Sequence, residues 1–287
     1  MTNLILGGVG FSTLTQKEAD SFLGIASEQG ISSIDTAPTY GDSEAVIGSS
    51  RRIKDWQVST KVGYPKGPRL NRKEITESID GSLRRLKIER IQTLFIHSMH
   101  YSDVDEELIE SLRHLQFQGK IEHVGYSGDG LDLDLILSNR SVDKVMATLN
   151  ILDLSNLQTI REFGSADVFL KRILCNSVFR IKPRLEIIDF IHRLKNRSEL
   201  DSASYSFRFH QIFEKRNIFK NYPDEFFLFL LSLGLQSKYL IGTTNPYHLK
   251  QIARLENSGD LWSSEELSDY IAKWEKLALK YQWVPLV

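Results

Sequence analysis

Four residues have the chemistry and placement to move a proton together: Asp35, Tyr40, Lys61 and His97. Three of them follow short apolar-rich runs: Ile31-Ser32-Ser33-Ile34 precedes Asp35, Val58-Ser59-Thr60 precedes Lys61, and Leu94-Phe95-Ile96 precedes His97. A fold gains nothing by gathering such groups, because an unpaired buried ion costs on the order of several kcal/mol. Hydride addition to a carbonyl carbon does require the set: negative charge grows on the oxygen, and a donor must deliver a proton there. A phenol of ordinary pKa, about 10, is a poor acid near neutrality. An ammonium beside it, Lys61, would stabilise its anion, and Asp35 would hold that ammonium by pairing with it. His97 would donate a second hydrogen bond to the carbonyl oxygen. Gly41 and Glu44 read as structural, a turn residue and an acceptor that fixes the loop carrying Tyr40.

The elements that must position these groups follow a regular alternation. Apolar runs at 4–8, 33–37, 57–62, 93–97, 123–127, 144–150, 170–177 and 239–243 read as strands, with segments of helical spacing between them. Residues 17–29 place Ala19, Phe22, Leu23 and Ala26 on one helical face, and residues 72–86 do so with Ile75, Ile79, Leu83 and Leu86. Asn71 with Glu74 forms a capping-box pattern, Asn245-Pro246 opens a helix, and Gly30 and Gly119 stand where helices end. Residues 263–282 predict a terminal helix on the outside. No Ser/Gly-rich or Pro-rich linker interrupts the chain, so a single (β/α)8 TIM barrel over 1–287 is expected. An open doubly wound sheet would carry G-x-G-x-x-G after its first strand. Gly7-Gly8-Val9-Gly10 lacks that spacing and reads as a tight turn at the barrel rim. In such a barrel the strand ends meet at one mouth, which is where the four candidates stand.

Composition narrows the partners. A formal net charge of −1 supplies no field for nucleic acid, and the basic pairs Lys182/Arg184 and Lys215/Arg216 read as solvated faces. The longest apolar run, 226–233, is far short of the roughly 20 residues of a membrane span. The first residues lack the basic and long apolar regions of a signal peptide, and Cys175 is the sole cysteine, so a reducing, cytoplasmic setting is expected. Cys175 reads as a core residue of the seventh strand. No histidine stands at metal-ligand spacing from a second ligand, so no metal site is expected.

The run Asp35-Thr36-Ala37-Pro38-Thr39-Tyr40-Gly41-Asp42-Ser43-Glu44 resembles the aldo-keto reductase signature. Ser59-Thr60-Lys61 is similar to that family's strand-three lysine motif, and Leu94-Phe95-Ile96-His97 to its strand-four histidine. Gly119-Lys120-Ile121 with Val124-Gly125-Tyr126-Ser127 resembles its fifth strand, and Gly242-Thr243-Thr244-Asn245-Pro246 its grip on the adenosine phosphate. The resemblance implies an oxidoreductase using NADPH, with NADH as the alternative, on a small-molecule carbonyl. It makes Asp35, Tyr40, Lys61 and His97 the catalytic tetrad. It implies cofactor contacts at Ser127, Asn150, Ser177, Gly242, Thr243, Thr244, Asn245, His248 and Gln251. This chain departs from the pattern in places. Gly128 and Met146 stand where amide side chains usually hold the nicotinamide, and Gln251-Ile252 replaces a Glu-Asn pair at adenine. A barrel that binds cofactor or regulates a partner with little turnover is therefore the competing expectation. Asn176-Ser177-Val178-Phe179 resembles a stretch in relatives from surface-polysaccharide and nucleotide-sugar pathways, which points to a sugar-like keto substrate among other carbonyls.

One segment resists the pattern. In 196–222 the aromatics Tyr205, Phe207 and Phe209 alternate as in an extended strand. That alternation predicts a lid over the cofactor, against a helix pair on the barrel wall.

Overall fold

The computed structural model describes residues 2–64, 70–138, 142–164, 167–175, 205–213, 222–283 and 285. Ser177, the 176–179 stretch, both basic pairs and much of 196–222 lie outside the described residues. Eight strands, β1 (Leu4–Gly7), β2 (Ser33–Asp35), β3 (Gln57–Val62), β4 (Ile91–His97), β5 (Ile121–Ser127), β6 (Lys144–Thr148), β7 (Val168–Lys171) and β8 (Lys238–Ile241), pair in parallel in chain order. β8 returns to β1 with Leu6 opposite Ile241, so the sheet closes into a barrel with no free edge. β7 is shorter than its apolar run suggested. Arg172 and Cys175 both take left-handed backbone (φ +57° and +49°), which turns the chain out of the sheet. Cys175 is core as expected, but in the turn after β7 rather than on the strand.

Ten helices are described: α1 (Gln16–Glu28), α2 (Ser43–Gly48), α3 (Arg72–Leu86), α4 (Glu106–Phe117), α5 (Gly130–Ser138), α6 (Leu157–Phe163), α7 (Tyr205–Ile212), α8 (Tyr222–Ser232), α9 (Pro246–Glu256) and α10 (Ser264–Tyr281). Their starts follow local chemistry. Thr15 with Glu18, Asn71 with Glu74 and Ser263 with Glu266 each make a reciprocal capping box, and Asn245 caps α9 ahead of Pro246. The faces read from the sequence are buried: Ala19, Phe22, Leu23 and Ala26 on α1, and Ile75, Ile79 and Leu86 on α3.

Inside the barrel alternate residues of each strand point to the axis. Phe95 of β4 meets Phe169 of β7 edge to face, ring centroids 5.1 Å apart. Gly125 of β5 makes that possible, since a Cβ there would lie 2.5 Å from the Phe95 ring. The floor beneath the mouth is thus packed rather than hollow.

The extended lid read into 196–222 is corrected where the chain is described. Residues 205–212 form α7, and Phe209 and Phe213, one helical turn apart, are both buried against Phe226. Fully buried Arg208 pairs with Asp153 at 3.1 Å, donates to the Leu152 carbonyl at 3.3 Å and lies over the Trp283 ring at 4.9 Å. Tyr270 and Trp274 of α10 donate to the carbonyls of Ile151 and Leu152. Where it is described the segment is thus helical rather than extended: aromatic packing and the buried ion pair outweigh a short alternating pattern.

Candidate active site

β2, β3 and β4 deliver their last residues to one place because they are neighbours in register. Asp35 pairs with Ser59, and Lys61 with Phe95, two residues short of His97. Asp35 and Lys61 are each 2% exposed, and the Lys61 Nζ donates to Asp35 Oδ2 at 2.5 Å and to the Thr36 carbonyl at 2.8 Å. The same Nζ lies 5.0 Å from the centroid of the Tyr40 ring. His97 stands edge to face with Tyr40, centroids 6.2 Å apart, and edge to face with Tyr64 at 5.8 Å. All four residues picked from the sequence therefore meet.

Tyr40 sits on a loop fixed from three sides. Gly41 takes φ +58°, which few side chains tolerate. Ser43 Oγ donates to the Gly8 carbonyl at 2.7 Å and contacts Thr36 Oγ1 at 2.9 Å. Buried Glu44 accepts from Thr60 Oγ1 at 2.6 Å and from Arg85 Nε at 2.7 Å, tying α2 to β3 and α3. Gly41, Ser43 and Glu44 thus fix the loop that carries the phenol.

The electrostatics differ from the expectation in one respect. Burial pushes the Tyr40 phenol above its ordinary value; Lys61 pulls it down but does not win. The phenol is consequently protonated throughout the neutral range. Burial likewise raises Asp35 against the pull of Lys61. His97 is pulled down to about 4, first by burial and then by Lys61 and Lys171, so its imidazole is neutral and can donate from one nitrogen only. Asp35 Oδ1 and His97 Nδ1 are buried with no hydrogen-bond partner among the described residues. Such atoms are costly unless a ligand or water meets them.

Beside Tyr40 a cavity of about 190 Å³ is lined by Gly7, Gly8, Val9, Asp35, Arg172, Ile173, Leu174, Leu240 and Gly242 as well. Three of those residues are glycines, and a Cβ at Gly242 would meet nothing within 4 Å, so a flat ligand can approach backbone there. Gly242, Thr243, Thr244 and Asn245 lead from β8 into α9; Asn245 Oδ1 accepts from the Tyr247 amide at 2.9 Å and Thr243 Oγ1 from the Asn245 amide at 3.1 Å. His248 is half-buried on the first turn of α9. Ser127 closes β5, opposite His97 on one side and Met146 on the other.

Two expected cofactor contacts are engaged elsewhere. Asn150 is fully buried, its amide donating to the Arg172 carbonyl at 3.1 Å and its oxygen accepting from the Leu152 amide and the Cys175 thiol. Gln251 donates to Asp224 of α8. Both hold elements together in this structure. Sequence reading also passed over a second, partly buried pair, Lys171 of β7 with Asp129 at 3.0 Å, and its neighbour Arg172. The signal was present, two cations closing the apolar run Val168-Phe169-Leu170, but a strand drawn to 177 hid the fact that it ends there. Among the described residues no group of three or more His, Cys, Asp or Glu is placed to hold a metal.

A profile of the Aldo/keto reductase family matches residues 3–157. Over 139 residues the chain is 31% identical to an L-galactose dehydrogenase from Arabidopsis thaliana, a match spanning 45% of this chain and 43% of that protein. Among solved structures, an aldo-keto reductase from Bacillus halodurans in its holo form superposes with a TM-score of 0.71 at 18% identity, covering 94% of this chain and 91% of its own. One from Klebsiella pneumoniae in complex with NADPH does so with a TM-score of 0.68 at 16% identity, covering 96% and 91%. At those identities the likeness is one of fold. The profile match covers more than half of the sequence, including all four residues gathered at the mouth, and the chain belongs to the aldo-keto reductase family.

Proposed function

We propose that this protein reduces a carbonyl with NADPH, using Tyr40 as the proton donor. The observation that carries the reading is the buried Asp35–Lys61 pair whose ammonium lies 5.0 Å from the Tyr40 ring, with neutral His97 against the same phenol. The dinucleotide, when bound, supplies the hydride. The chain's own residues do the rest. Tyr40 keeps its proton until negative charge grows on the substrate oxygen, then gives it up there. Lys61 favours the phenolate that remains, and Asp35 keeps Lys61 in place. His97 donates a hydrogen bond to the same oxygen and orients the carbonyl.

The glycine-lined cavity and the two unpartnered polar atoms fit a ligand bound over Tyr40. Ser127 would hold the nicotinamide end. Gly242, Thr243, Thr244, Asn245 and His248 would meet the adenosine phosphate at the start of α9, where a helix N-terminus favours anions. The curated relative's name, L-galactose dehydrogenase, supports a sugar-like substrate, and the lone cysteine supports a cytoplasmic setting.

Tyr40→Phe is expected to lower turnover roughly 100-fold or more while leaving NADPH binding near normal, the scale of lost general acid catalysis. Equal turnover of the two proteins on one aldehyde would remove Tyr40 from the mechanism. The engagement of Asn150 and Gln251 inside the fold favours a second reading, a barrel that binds cofactor weakly and turns over little. Weak tryptophan quenching by NADPH, with no turnover across a broad carbonyl panel, would establish that reading instead.

A further inference from the structure

We propose that Tyr126 is a positioning residue for His97, its hydroxyl holding the turn that aims the imidazole at the substrate oxygen, an inference that rests on the carbonyl-reductase reading of this site. Alternation along β5 puts Gly125 and Ser127 inside the barrel and Tyr126 on its outer face, in register with Ile96 near the end of β4. The residue is 1% exposed, and its hydroxyl donates to the Met99 carbonyl at 2.7 Å, two residues beyond His97. Burial pushes that phenol well above its ordinary value, so it stays a donor throughout the neutral range.

The turn after His97 is one that must be held. Ser98 takes φ +49°, left-handed backbone that residues other than glycine seldom adopt, and such conformations persist where neighbouring structure over-determines them. The Ser98 amide donates to the Ser127 carbonyl at 2.7 Å and fixes the near side of the turn; the Tyr126 hydroxyl fixes the far side at Met99. Two glycines make room for the contact: a Cβ at Gly128 would lie 2.3 Å from the Tyr126 ring, and one at Gly63 2.4 Å from Met99 Sδ. Gly63 leads directly to Tyr64, whose ring packs edge to face on His97 at 5.8 Å. One hydroxyl therefore braces the chain leaving His97 and, through Met99 and Gly63, the ring beside it. The imidazole makes ring contacts with Tyr40 and Tyr64 and is faced by the charges of Lys61 on β3 and Lys171 on β7, which are paired with Asp35 and Asp129. Its Nδ1 has no hydrogen-bond partner among the described residues, so the backbone turn carries much of its orientation.

Tyr126→Phe deletes the hydroxyl and keeps the ring over Gly128, with circular dichroism and Tm as folding controls. The probes are NADPH and benzaldehyde. Turnover of benzaldehyde is expected to fall about 10-fold in kcat with little change in KM or in the NADPH Kd, the scale of one lost hydrogen bond. The loss should vanish in a His97→Gln background, because a residue that acts through His97 has nothing left to position there. NMR of the ring nitrogens gives a readout that needs no turnover. Burial is the chief cause of the low His97 value, so a loosened turn should move its titration from about 4 toward 6.5. An equal loss of kcat in both backgrounds, or a His97 titration in Tyr126→Phe that overlays that of wild type, would overturn the proposal. If the wild-type protein turns over no carbonyl, the reductase reading fails separately. The titration then decides the role of Tyr126 by itself, an upward shift supporting it and an unmoved curve removing it.

Discussion

His97 carries the clearest pH signature of any residue at the mouth. Its folded value of about 4 lies below the ordinary 6.5, so between those limits the unfolded chain binds a proton that the folded chain does not. Folding stability is therefore expected to fall as the pH is lowered from 6.5 to 4, and to be free of this contribution above 6.5. His97→Gln should flatten that part of the curve of urea-unfolding free energy against pH; an unchanged slope would place the imidazole in a more solvated setting. The same neutrality has a kinetic consequence. kcat/KM should show no step near pH 6.5, and its alkaline fall should lie above the ordinary phenol value, because burial raises Tyr40. Asp35, Lys61 and His97 were legible as candidates because each follows an apolar run, and Tyr40 because it stands in the loop that follows Asp35. The direction of the Tyr40 shift was not, because it is the difference between desolvation and the Lys61 charge, and both depend on burial that no local pattern records.

Among the elements, β5 shows how a strand is shaped by what lies across the barrel. Gly125 leaves room for the ring of Phe95, which in turn packs on Phe169 of β7. Gly125→Ala is expected to destabilise the fold by about 1–3 kcal/mol, the cost of overpacking a filled core. The double change Gly125→Ala/Phe95→Leu should recover part of it, since the two positions touch. Urea unfolding of the two singles and the double checks both statements, and strict additivity would argue against the contact. Helix starts such as Asn71 and Asn245 were readable because caps act within four residues. The helix at Tyr205–Ile212 was misread as extended because three alternating aromatics are a short sample, and its burial comes from distant Phe226, Tyr270 and Trp283.

At the scale of the molecule, barrel closure brings β2, β3, β4, β7 and β8 to one mouth, so binding and folding are linked there. A dinucleotide that binds only the folded chain stabilises it by about 2.7 kcal/mol at a hundredfold excess over Kd. NADPH is expected to raise the Tm more than NADH at equal concentration, because Thr244 and His248 stand at the start of α9 where a 2′-phosphate would be met. A larger shift with NADH would reverse the cofactor assignment. Tyr40→Phe should show the same shift as wild type, which separates the proposed proton transfer from binding.

The sequence alone determined the alternation of eight strands with helices, the caps that start several helices, and the four candidate residues that meet at the mouth. These are local properties: side-chain period, cap chemistry, and the residue type that ends an apolar run. Tertiary structure alone decided which strand ends share a cavity, that Asn150 supports Arg172, and that Gln251 is tied to α8. Those outcomes depend on residues far apart in sequence: Asn150 with Arg172, Gln251 with Asp224, and, for the cavity, β1 with β8, where Leu6 stands opposite Ile241. They are fixed only when parallel pairing closes the sheet and brings the carboxyl ends of the strands to one face.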